Sequence, residues 1–167
     1  FDFAGSDIDA AIHFGAEDWP GAVCHRLMGE VVVPVAAPAL LARLRRPARP
    51  ADVSRFTLLQ HATRPDAWRE WLRACGVEGI DGRVGPRFEQ ILMIIQAAIA
   101  GLGVAVLPRF LIRDELASGR LAVVVDRPVR SEHAYYLVHP VGKADLRRVA
   151  VFRNWLLEQC AGQEAEL

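Results

Sequence analysis

Five histidines, three cysteines, four serines and one Gly-x-Gly are the groups in this 167-residue chain whose types could do chemistry. None of the serines (Ser6, Ser54, Ser118, Ser131) lies in Gly-x-Ser-x-Gly, so no nucleophile elbow is present. The histidines at 13, 25, 61, 133 and 139 show no His-Glu-x-x-His or other short metal-ligand spacing. Cys24 and His25 are neighbours, but adjacent side chains on a strand face opposite ways, which excludes a Cys–His pair. Cys75 stands beside Gly76 at a predicted helix end and reads as a small apolar residue. Asp7 and Asp9 share one side of a predicted strand and read as its solvated start. Gly101-x-Gly103 follows a helix and precedes a strand, the reverse of a dinucleotide fingerprint. Gly101 therefore reads as a helix C′ residue and Gly103 as a close-packed turn. His13 and His61 differ from the other histidines. Each ends a predicted parallel strand, where open α/β sheets bind ligands. The pattern predicts a binding site with no catalytic residue, no metal and no cofactor.

The elements that would hold such a site alternate. Ser6 to Gly15 predicts a strand covered on both faces, from the apolar run at Ile8, Ala10, Ala11 and Ile12. Val23 to Met28 and Glu30 to Ala36 are strand-like, and Pro34 marks the second as an edge or crossover. Pro38 to Leu44 predicts a short helix, Arg45 to Pro50 a connector, and Ala51 to Arg55 one helical turn. Phe56 to Gln60 is a strand leading to His61, Ala62 and Thr63. Asp66 is placed to cap a helix bearing Trp68, Trp71, Leu72 and Cys75. Further along come a helix (Phe110 to Ala117), a strand (Leu121 to Val125), a loop (Pro128 to Glu132) and a strand (Ala134 to His139). Asp145 is placed to cap a last helix with Leu146, Val149, Phe152 and Leu156 at helical spacing, and the polar tail after Cys160 is expected to fray. This alternation predicts an α/β fold with a mainly parallel sheet.

The stretch GPRFEQILMIIQAAIAGLGVAVLP (Gly85 to Pro108) stands out. It predicts a short strand, a helix with Glu89 and Gln90 in its first turn, a glycine break and a second strand. The helix is apolar almost all round except for Gln96, so it must be covered on more than one face. In so small a chain one face would otherwise meet water. The expectation is that one side packs on the sheet and the other, with Met93, Ile94 and Ala97, on a second subunit.

Lys plus Arg and Asp plus Glu are 20 each, and 52% of residues are hydrophobic. That balance speaks against direct nucleic-acid contact, and the core is ample for a folded domain. Three scattered cysteines fit a reducing compartment, and no apolar run is long enough to span a membrane. No signal peptide is visible; Phe1 opens at once on strand-like sequence, as if in the middle of a fold.

DIDAAIHFG (Asp7 to Gly15), DWPG (Asp18 to Gly21), PVAAPALL, GPRF with QAAIAGLGVAVLP, SGRL (Ser118 to Leu121), AYYLV (Ala134 to Val138) and FRNWLLE (Phe152 to Glu158) occur in that order. Together they resemble the effector-binding domain of LysR-type transcriptional regulators, in the subgroup of glycine-cleavage activators and β-lactamase regulators. The resemblance implies a type II periplasmic-binding-protein-like fold. Two Rossmann-like lobes are joined by two crossover strands, with a partial first lobe at 1–34 and 133–167 and a second lobe at 35–132. It implies that a helix-turn-helix domain, a linker helix and the first units of the first lobe lie outside this chain. It implies a small effector bound between the lobes, a cytoplasmic homodimer or homotetramer, and DNA contact through the helix-turn-helix domain alone.

The site residues carried over are His61, Thr63, Phe88, Glu89 and Gln90 from the second lobe, and His13, Phe14 and Tyr135 from the first lobe and crossover. Tyr135 is matched through AYYLV. Glu89 stands where relatives have a neutral or small residue, and an acid there favours an amine or a donor-bearing effector over a simple carboxylate. The alternatives are a transporter's solute-binding protein of the same fold and an enzyme on a related two-lobed scaffold.

Overall fold

The computed structural model describes residues 3–44 and 49–161 of the chain. In chain order the elements are β1 (Ala11–Gly15), β2 (Ala22–Met28), β3 (Val31–Ala36), α1 (Pro38–Leu41), β4 (Leu58–His61) and α2 (Ala67–Ala74). They continue with β5 (Arg87–Phe88), α3 (Ile91–Ile99), β6 (Val104–Pro108) and α4 (Arg113–Ala117). Last come β7 (Ala122–Val123), β8 (Val129–Arg130), β9 (Ala134–Pro140) and α5 (Arg147–Cys160). The start at residues 1–2, the 45–48 part of the expected connector and the tail beyond Ala161 lie outside the described residues. The chain divides into two compact units, Phe1–Glu30 with Arg130–Leu167, and Val31–Val129.

The second unit is built on a sheet of order β5-β4-β6-β3-β7. Its strands are apolar runs because both faces are covered. Val32, Leu58, Val104 and Val106 face α2 and its Trp68, Trp71 and Leu72. Their neighbours Val33, Leu59, Ala105 and Leu107 face α3 through Ile94, Ile95, Ala97 and Ala98. Successive residues thus supply two cores, as a period of two requires. Both tryptophans in α2 satisfy their indole N–H groups on carbonyls, Trp68 on Leu59 at 3.0 Å and Trp71 on Arg127 at 2.9 Å.

The first unit has a three-stranded sheet of order β1-β9-β2, antiparallel throughout. One face carries Ala134, Tyr136 and Val138 with Ala11, Trp19 and Cys24. On the other lie the fully buried Leu137 and His139, and α5 packs against β2.

Several expectations are corrected. The parallel pairs are β4 with β5 and β4 with β6; the rest of the described ladders are antiparallel. β1 starts at Ala11 and is an edge strand, with Ile12 56% exposed, so Asp7 and Asp9 precede it and it is not covered on both faces. Pro34 lies inside the sheet, between β6 and β7. Its carbonyl accepts the Val124 N–H, so its missing N–H faces the short β7 side and costs the β6 ladder nothing. Phe110 to Ala117 splits into a 3-10 turn (Arg109–Ile112) followed by α4, and the loop after Pro128 contains β8. Neither predicted aspartate cap forms. Asp66 instead binds Arg83 at 2.7 Å and Arg69 at 3.3 Å, and Leu146, not Asp145, is the residue before α5.

Candidate functional site

In the second unit, β4 and β5 run parallel and end together at His61 and Phe88. The Ala62 N–H donates to the Phe88 carbonyl at 2.8 Å, which carries the pairing past the strand ends. Gly85 makes that approach possible: it has φ +140°, and a Cβ there would lie 1.9 Å from the Leu58 carbonyl oxygen. Buried Gln60 holds the same loop through its amide, which donates to the Val84 carbonyl at 3.2 Å. Beyond the strand ends, Thr63 Oγ1 and His61 Nδ1 are joined at 2.8 Å. Burial, reinforced by the charge of Arg64, pushes the His61 pKa down, which favours a neutral imidazole.

Helix α3 follows directly. Gln90 is its N-cap residue and Ile91 its first, so Glu89 and Gln90 precede the helix rather than occupying its first turn. Gln90 makes no side-chain capping bond, and both side chains are exposed. The helix ends in a Schellman motif: Gly101 has φ +74°, its N–H donates to Ala98, and the Leu102 N–H donates to Ala97. Gly103 passes so close to β4 that a Cβ would fall 2.2 Å from the Thr57 carbonyl oxygen. Both glycines are thus structural, as a helix–turn–strand order demands.

In the first unit, Phe14 and Tyr135 are direct cross-strand partners, with ring centroids 4.8 Å apart. His133 meets Phe14 edge-on at 5.9 Å. Tyr135 Oη donates to Glu30 Oε2 at 3.0 Å, and Glu30 is only 2% exposed. His13 belongs elsewhere. It pairs with Tyr136, one residue out of phase with Phe14, and therefore occupies the opposite face. There its ring meets Trp19 edge-on at 4.4 Å, and burial, with the charge of His133 adding to it, lowers its pKa. His13 also sits mid-strand in an antiparallel pair, not at a parallel strand end.

The structure therefore gathers His61, Thr63 and Phe88, followed by Glu89 and Gln90, on one unit, and Phe14 with Tyr135 on the other. Of the expected interface residues, Met93 is 53% exposed, whereas Ile94 and Ala97 point into the α3 core. The surface of this helix is Leu92, Met93, Gln96 and Ala100. Two polar clusters escaped sequence reasoning. Glu30 was masked by the β-branched run that follows it, and its partner is 105 positions away. His25 and His139 bond each other through their Nε2 atoms at 3.1 Å. His139 Nδ1 lies 3.0 Å from the Pro140 carbonyl, which can only accept, so His139 Nε2 accepts and His25 donates. Among the described residues no group of three or more His, Cys, Asp or Glu is placed to hold a metal. No helix among them is long and apolar enough to cross a membrane.

Residues 3–161 match the model of the LysR substrate binding domain. The glycine cleavage system transcriptional activator of Escherichia coli K12 is 35% identical over 163 residues, which cover 98% of this chain and 53% of that protein. The transcriptional activator AmpR of Rhodobacter capsulatus is 33% identical over 154 residues, 92% of this chain and 51% of that one. The chain thus spans about half the length of the curated relatives it matches. Among solved structures, the effector domain of the transcriptional regulator AmpR of Pseudomonas aeruginosa superposes with a TM-score of 0.86 at 28% identity, over 99% of this chain and 79% of that one. A fold built on two α/β units, and a family match across nearly all of its residues, make this chain a member of the LysR substrate-binding domain family.

Proposed function

We propose that the chain is the ligand-sensing, oligomerising domain of a LysR-type transcriptional regulator, and that it reports a small effector without transforming it. Its two compact units stand for the two lobes of the fold. His61, Thr63, Phe88, Glu89 and Gln90 form the second unit's half of the effector site, and Phe14 and Tyr135 the first unit's half. The observation that carries this reading is the meeting of β4, β5 and the start of α3. Two parallel strands end side by side, and a helix begins there with its first N–H groups uncapped by any side chain. That is where α/β sheets present ligands, and a helix start offers them backbone N–H groups. The relatives' names, all activators or regulators of transcription, point the same way. DNA binding would belong to a separate domain of the full regulator, since this chain has no net basic charge.

The test is thermal stabilisation by a panel of amino acids, amino-acid amides and short carboxylates. A compound that raises the melting temperature should lose its effect in both Gln90→Ala and Tyr135→Ala. A shift retained in both removes these residues from the site. Oligomerisation is proposed through the exposed α3 stripe at Leu92 and Met93. Met93→Glu should then sediment as a smaller species with an unchanged circular dichroism spectrum.

A further inference from the structure

The bond between Tyr135 and Glu30 has a consequence for what Tyr135 can recognise. A tyrosine hydroxyl carries one proton. Here it is directed to Glu30 Oε2 at 3.0 Å, and that carboxylate is 2% exposed. An ionised carboxylate only accepts, and bonds to it are stronger than those between neutral groups. Turning the hydroxyl toward a ligand would take a charge-assisted donor from a carboxylate shut away from water. The ring has little freedom to compromise, because Phe14 lies against it at 4.8 Å from the paired strand. What the phenol oxygen offers to any further group is lone pairs.

We propose that Glu30 fixes Tyr135 as a hydrogen-bond acceptor, so that the effector presents a donor there, an ammonium or amide N–H, and not a bare carboxylate. The inference rests on the reading of Tyr135 as an effector contact. It makes Glu30 a specificity-determining residue that acts through Tyr135.

Tyr135 and Tyr136 are the only tyrosines in the chain, so Tyr136→Phe leaves Tyr135 as a single reporter. In that background the Raman tyrosine doublet distinguishes a donating phenol from an accepting one. It should show a strong donor, and the donor signature should be lost in Glu30→Leu and weakened in Glu30→Gln. The second variant carries the test if the first fails to fold. Tyr135 ring resonances are then followed during titration with propylammonium, glycinamide and propionate. The two donors should shift them and propionate should not, and Glu30→Leu should remove that preference. An accepting phenol in the parent chain overturns the inference. So does propionate moving Tyr135 at least as far as propylammonium, although the effector-site reading then stands as a carboxylate site. If all three probes leave Tyr135 still while a probe moves His61 or Gln90, Tyr135 leaves the site and the inference falls with it.

Discussion

The two units solve the burial problem unequally. In Val31–Val129 a sheet is covered on both faces, and Trp68, Trp71, Ile94 and Leu107 are almost entirely buried. In the other unit three antiparallel strands meet one long helix. Ile12, Val151, Phe152 and Trp155 stay in water, and Phe152 and Trp155 stack on each other at 6.0 Å along α5. A groove of about 770 Å³ opens there between Arg147, Arg148, Val151, Phe152 and Trp155. The contrast separates aromatic residues that hold a core from aromatic residues that merely sit on a surface. Composition alone cannot tell them apart.

The sharpest way to break the comparison is within one helix. Ile94 and Met93 are neighbours on α3, yet one is 1% exposed and the other 53%. Ile94→Glu should unfold the second unit, because an unpaired charge would enter the α3 core, at a cost of several kcal/mol. Met93→Glu should keep the fold. Loss of the circular dichroism signal in the first and its retention in the second is the expected result; two folded proteins would mean that the α3 core is misassigned. Next in size is Trp71→Ala, which should lower stability by about 3–5 kcal/mol in urea unfolding, through the cavity and the lost bond to the Arg127 carbonyl.

These pairs also show how far the sequence could be read. α3, its glycine stop and β6 were legible because local signals agree: an apolar run, Gly at C′ and a β-branched strand. Pairing direction was not. β1 and β9 look like buried parallel strands in composition, but a partner about 120 positions away sets their direction. The sheet's orientation also decided the site. His13 and Phe14 are adjacent on a strand and so face opposite ways, and only the register of β1 against β9 shows that Phe14 is the one beside Tyr135. Glu30 is the same lesson in reverse, a carboxylate whose role depends on a tyrosine that no local pattern connects to it.

Acid should separate the units further. Burial, with His139 and Arg153 adding to it, holds the His25 pKa below the ordinary imidazole value of about 6.5. Protonation is therefore resisted in the folded state and easier in the unfolded one. The stability this gives is complete above that value and is lost as pH falls through it toward the lowered folded pKa. Protonating His25 leaves its bond to His139 intact, since His25 is already the donor. The urea midpoint should fall between pH 7.5 and 5.5, and His25→Gln should flatten that fall. His13 and His61 shift in the same direction, so a remaining slope is expected. An unchanged slope would mean that the pair does not contribute.

The smallest expected effect tests the surface reading directly. Trp155 is 53% exposed, and its main neighbour is Phe152, itself on the outer face of α5. Removing it empties no core and leaves no buried polar group unpaired. Trp155→Ser should therefore change the stability of the chain by no more than about 0.5 kcal/mol, several-fold less than Trp71→Ala. The two tryptophans differ in sequence only by the elements that carry them, so the ratio of the two losses measures how unevenly the units are covered. A loss of 2 kcal/mol or more at Trp155, on the order of a buried side chain, would show that this face is packed in solution against something the chain itself supplies. Sedimentation of the variant would then decide between a second copy, whose removal lowers the mass, and the chain's own residues, which leave it unchanged.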